Sequence, residues 1–150
     1  MADSLKNPLG VGAGLGPRGA KRIGLSFVFL WFFVGGLAHF AAAGLEAKIV
    51  PPYIPWPQEV VLISGVFELL GAMGLLWGAT RRMAGIGLFI LTIAVTPANI
   101  YMLQHAQQFS VPYWLLWFRL PFQVGLLWLI WWSTVRRRRN FQPAPLTALP

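Results

Sequence analysis

Four long apolar stretches, at residues 23–44, 60–80, 83–103 and 113–135, constrain this chain more than anything else in it. Each has the length of a bilayer crossing, since an α-helix needs roughly 20 predominantly apolar residues to traverse about 30 Å of hydrocarbon. The strongly polar side chains that interrupt them are His39, Glu68, Asn99, Arg119 and Gln123. Intramembrane polar groups are costly, so these residues are where function is to be sought. The connections are short and force neighbouring segments to run antiparallel. The expected fold is therefore an all-α membrane protein, a four-transmembrane-helix antiparallel bundle.

Composition agrees. At 57% hydrophobic and 11% charged residues, the chain lacks the polar surface of a soluble domain. Many of its Trp residues fall near predicted helix ends, where indoles favour the head-group layer. There is no cysteine, hence no disulfide, thiol relay or thiolate metal site. Two histidines and one intramembrane carboxyl group lack the clustered spacing of metal ligands, so no metal is expected.

Charge supplies orientation. Lys6, Arg18, Lys21 and Arg22 precede the first stretch, Arg81 and Arg82 separate the second from the third, and Arg136, Arg137, Arg138 and Arg139 follow the fourth. The other two connections carry only Lys48, with Glu46 and Glu59 beside it. Basic residues are retained on the cytoplasmic side. Both termini are thus expected in the cytoplasm, with residues 45–59 and 104–112 outside, in a multi-pass protein of the cell (inner) membrane. The net charge of +8 raises the question of nucleic acid. No basic face or recognition motif accompanies it, and its position at helix ends suits topology and anionic lipid instead. A basic leader followed by Ala41, Ala42 and Ala43 resembles a cleavable secretory signal, but the apolar run exceeds a signal core and an uncleaved helix is the expectation.

Residues 1–20, rich in Gly, Ala and Pro, read as a disordered cytoplasmic tail, residues 21–135 as the membrane domain, and residues 136–150 as a second basic tail with prolines. The stretch GVGAGLG follows no strand and is no phosphate loop. The first outer loop, KIVPPYIPWPQ, is stiffened by four prolines. It reads as a structural lid whose Tyr53 and Trp56 lie on the membrane interface or cap the bundle's outer end.

Helical spacing gathers the polar residues onto faces. Gly35, Gly36 and His39 share one; Ser64, Glu68 and Gly71 a second; Thr92, Thr96 and Asn99 a third; Arg119 and Gln123 a fourth. The helical rise of about 1.5 Å per residue brings all of them to the outer half. Pairing of Glu68 with Arg119 would offset the cost of either charge alone. Pro97 frees a carbonyl one turn upstream for a neighbour such as Arg119 or Gln123, and Pro121 does the same in the fourth helix. His105, beyond its stretch, is expected to face solvent. Two readings follow: a polar clamp that fixes helix register, or a pocket for a quinone-like head group, a lipid or a small polar ligand.

The motifs GGLAHF, KIVPPYIPWP, SGVFELLGAMGLL, PANIYM and RLPFQ, in that order, resemble those of the DoxX-like membrane proteins from Arg22 to about Trp132. By that resemblance Arg22, His39, Pro51, Pro52, Glu68, Asn99, Arg119 and Gln123 fall on recurring motif positions. The family takes its name from small subunits associated with thiosulfate:quinone oxidoreductase. The resemblance therefore implies a four-helix accessory subunit in redox or respiratory membrane chemistry, rather than an enzyme by itself. It implies no covalent cofactor, a bound quinone or lipid, and a membrane-protein partner or a second copy of the chain. A cysteine-free bundle runs no thiol–disulfide relay unaided. The alternatives are a non-catalytic binding or assembly protein built on the polar clamp, and a small transporter.

Overall fold

A computed structural model of the protein describes residues 16–136. These residues are helical, with no strand among them. The order is α1 (Pro17–Ala41), the short α2 (Ala43–Glu46), α3 (Pro57–Leu76), α4 (Arg81–Ala94), α5 (Thr96–Gln104) and α6 (Tyr113–Ile130). A 3-10 turn at Ala47–Ile49 follows α2, another at Ala106–Gln108 follows α5, and a π-helical turn at Trp131–Val135 continues α6. Four of the resulting helical runs are long and apolar enough to cross a membrane: Arg18–Ala41, Pro57–Leu76, Arg81–Gln104 and Tyr113–Val135.

Local chemistry sets the boundaries. The first helix starts at Pro17, inside the segment expected to be tail, and stops at Ala41, short of the expected Gly44. The chain then bends at Ala42 (φ −126°) before α2 resumes. The remainder of the expected tails, residues 1–15 and 137–150 with Arg137, Arg138 and Arg139, lies outside the described residues. Pro57 and Pro97 stand in the first turns of α3 and α5, where a missing N–H costs nothing. Between α3 and α4 the reversal is tight because side chains cap the last carbonyls of α3. Thr80 Oγ1 donates to Gly74 O (2.7 Å) and Arg81 Nε to Leu75 O (3.0 Å).

The third run is one stretch in sequence and two helices in space. Val95 separates α4 from α5 at the point where Pro97, lacking an N–H, ends the ladder of α4.

The proline-rich loop is anchored through Pro51 and its own backbone. Pro51 is buried, and Ile54 N closes a turn onto Pro51 O (2.9 Å). Tyr53 and Trp56 are exposed, so neither caps the bundle. Trp56, between Pro55 and Pro57, takes a left-handed backbone (φ 52°), a strained conformation for a residue with a side chain.

Packing divides the bundle into two ends. Val28, Phe32, Ala72, Leu75, Leu88, Leu126 and Ile130 form an apolar core toward the end that carries the Arg81 turn. Here Gly24 lies against Leu129 and Trp132, Gly85 against Thr134, and Lys21 Nζ donates to Arg136 O (2.7 Å). The opposite end, carrying the proline-rich loop, holds the polar side chains. The outward faces expose Phe27, Leu30, Val34, Phe67, Leu70, Ile90, Val124 and Trp128 among many others, so burial inside the chain accounts for little of its apolar surface.

Candidate functional site

The closest helix crossing positions the first group of polar residues. Gly36 of α1 and Gly65 of α3 face each other: a Cβ on Gly36 would lie 3.1 Å from Gly65 O, and one on Gly65 would lie 3.2 Å from Gly36 O. Neither position has room for a side chain, so the two backbones approach as small residues permit. Gly35, one residue earlier, admits the carboxyl group of Glu68, whose Oε2 would stand 2.8 Å from a Cβ there.

This crossing brings Glu68 to His39, not to Arg119. His39 Nδ1 donates to Gly35 O at 2.8 Å, and lies 3.4 Å from Glu46 Oε2 and 3.9 Å from Glu68 Oε2. Since a carbonyl only accepts, the ring carries its hydrogen on Nδ1. Three oxygens thus surround one N–H, and all three titratable side chains are half-buried. The ring and both carboxyl groups therefore remain reachable from outside the chain.

Glu46 is the member that sequence reasoning missed, having been counted among the loop charges. It stands seven residues after His39, a same-face spacing on a continuous helix. The break at Ala42 hid that relationship.

A second group gathers between α4, α5 and α6. Asn99 Nδ2 donates to Gln123 Oε1 (2.8 Å), while Gln123 Nε2 donates to Thr92 O and Thr96 Oγ1 (both 2.6 Å). Thr96 Oγ1 in turn donates to Thr92 O (3.3 Å), and Thr92 Oγ1 to Leu88 O (2.7 Å). Gln123 is 7% exposed and Thr92 4%, so these two members are closed to ligand, while Thr96 and Asn99 are half-buried. Gln123 does not reach Ile93 O, the carbonyl that Pro97 frees, but Thr92 O one residue upstream. Thr92, Thr96 and Asn99 do share a face, and it is turned to α6.

Arg119 joins neither group. Its Nη1 donates to Met102 Sδ (2.8 Å) on α5, the residue is otherwise exposed, and no carboxyl group of the described residues lies within 4.0 Å. The expected Glu68–Arg119 ion pair is therefore absent among the described residues. The two belong to helices that meet different neighbours: Glu68 faces α1, and Arg119 reaches α5. Ser64 Oγ turns back to Val61 O (2.8 Å), and Gly71 packs against Leu88 of α4, so the expected Ser64–Glu68–Gly71 face divides between two neighbours. His105, expected in solvent, is half-buried at the end of α5 with Nδ1 on Tyr101 O (3.0 Å) and its ring 4.2 Å from that of Tyr101.

A groove of about 590 Å³ runs between α3 and α4, lined by Gly71, Gly74, Ala84, Gly87, Leu91 and other apolar residues. It touches none of the polar side chains singled out by the sequence. Among the described residues no set of three or more His, Cys, Asp or Glu side chains is arranged to hold a metal ion.

No curated protein and no solved structure matches the chain. A family model described as "Domain of unknown function (DUF8561)" matches residues 28–135, a span that contains His39, Glu46, Glu68, Asn99, Arg119 and Gln123, and the chain belongs to that family.

Proposed function

We propose that this is a multi-pass protein of the cell membrane. Its four long helices cross antiparallel with both termini cytoplasmic. The outer half presents a head-group site around His39, Glu46 and Glu68 to a quinone-like or lipid molecule. The exposed apolar flanks support the membrane placement, because a soluble monomer rarely leaves such large apolar patches uncovered. The basic residues Arg22, Arg81, Arg82 and Arg136 at one end support the orientation. In this reading the protein serves beside a redox-active membrane partner as an accessory subunit, as the resemblance to DoxX-like proteins suggests.

The observation that carries the site is the convergence of two carboxyl groups on one imidazole at 3.4 and 3.9 Å, with none of the three fully buried. Such a cluster offers hydrogen-bonding capacity that its own members do not use up. The Asn99–Gln123 network, in contrast, consumes its groups internally and supports the clamp reading for that half. The test is extraction of quinones and lipids from protein carried from its native membrane into nanodiscs. About one retained molecule per chain is expected, falling strongly in His39→Phe and Glu68→Leu. Equal retention in all three proteins would end the head-group reading.

A further inference from the structure

Arg119 has more hydrogen-bond donors than the chain gives it partners. A guanidinium offers five N–H groups in a planar fork. Its side-chain bond among the described residues goes to the thioether of Met102, a weak acceptor. Glu46 and Glu68 are both at His39, and no carboxyl group lies within 4.0 Å of Arg119. The turns around it expose Trp114, Leu115, Trp117 and Phe118, so the charge emerges through an apolar, aromatic surface. On the membrane placement proposed above, Arg119 lies about 9 Å along the helix axis from Tyr113 at the outer start of α6, by the usual rise per residue. A side chain of its length can extend from there to the head-group layer while its methylenes stay on the apolar surface.

We propose that Arg119 is a phosphate-binding residue: its guanidinium takes the phosphodiester of an outer-leaflet phospholipid whose acyl chains cover the aromatic face of α6. A phosphodiester supplies what the guanidinium lacks, anionic oxygens spaced for two parallel hydrogen bonds. Met102 holds one edge of the fork against α5, and the other donors have no hydrogen-bond or carboxyl partner among the described residues. The site is independent of the His39 cluster, which is rich in acceptors and would repel a phosphate.

The full-length protein in nanodiscs of a phosphate-free galactolipid, doped with phosphatidylcholine or phosphatidylglycerol, provides the test, with native mass spectrometry counting the retained phospholipid. Both dopants should be retained, because the phosphodiester is common to them, and added inorganic phosphate should not displace them. Arg119→Gln should lower retention by about tenfold or more, as loss of a charge-assisted bond implies. Arg119→Lys keeps the charge without the fork and should fall in between. Undiminished retention in Arg119→Lys and Arg119→Gln, or displacement by inorganic phosphate, would overturn the assignment. So would a crosslink placing Arg119 on a carboxyl group of another protein or of a second copy. Absence of retained lipid at His39 alone would leave Arg119 untouched and count only against the head-group site.

Discussion

Gly65 stands so close to His39 that a Cβ on the glycine would lie 2.7 Å from the histidine's own Cβ. The same crossing sets Gly36 against Leu69 and admits Glu68 beside Gly35. Two absent side chains on α1 and one on α3 therefore determine which polar groups meet.

Gly65→Ala should push α1 and α3 apart and destabilise the protein by about 1–3 kcal/mol, the usual cost of overpacking a tight contact. Gly87→Ala is the matched control: nothing lies within 4 Å of its Cβ position, and α4 gains helix propensity of up to about 1 kcal/mol. Thermal unfolding in detergent reads both. Equal behaviour of the two variants would contradict the crossing.

A double-mutant cycle distinguishes the pair that the sequence suggests from the pair that the fold makes. Glu68 and His39 should couple by roughly 0.5 kcal/mol or more, as neighbours do, whereas Glu68 and Arg119 should be additive to within about 0.5 kcal/mol. The substitutions are Glu68→Gln, His39→Gln and Arg119→Gln, with unfolding free energy as the measurement. Rescue of Glu68→Gln by Arg119→Gln would show that an ion pair forms after all.

Gln123→Leu removes three hydrogen bonds at once and leaves half-buried Asn99 without its acceptor, while the Thr92 carbonyl keeps only the bond from Thr96 Oγ1. At the average of about 0.6 kcal/mol for a bond between membrane helices, the loss sums to roughly 2 kcal/mol. Adding Asn99→Leu should recover part of it, because one orphaned group is then gone. Unfolding in mixed micelles measures the series, and a single variant as stable as the parent would dismiss the clamp.

Reporter fusions at Pro52 and Ser110 should behave as external, and one at Arg82 as cytoplasmic, on the strength of the charge distribution. A cytoplasmic signal from Pro52 would reverse the proposed orientation.

The helices themselves were legible from the sequence because apolar length and proline placement are local properties. The last long run was expected at residues 113–135, and Tyr113–Val135 is what the structure gives. The shared face of Thr92, Thr96 and Asn99 was legible too, since it depends on helical spacing alone; that it meets Gln123 was not. Partner choice was not. Complementary charge pointed Glu68 toward Arg119, but charge carries no information about which helices touch. That is decided by Gly36 and Gly65, whose effect depends on the surface opposite. Glu46 was hidden for a related reason: the bend at Ala42 turns a loop residue back over the helix it has just left.

The division of the third long run at Val95 has a mechanical consequence. The segment before it leans on α3 and reaches α6 through Thr92 O, which accepts from Gln123 Nε2, while the segment after it is fastened to Gln123 through Asn99 and Thr96. Gln123 therefore holds both sides of the joint at once, and force applied to the loop at residues 105–112 would travel into the fourth long run and, through the same side chain, into α4. Spin labels at Ile100 and Ile90 should keep a fixed separation in the parent protein, and the distance distribution should broaden in Gln123→Leu. One amide side chain thus acts as a splint across the place where a proline interrupts the backbone ladder.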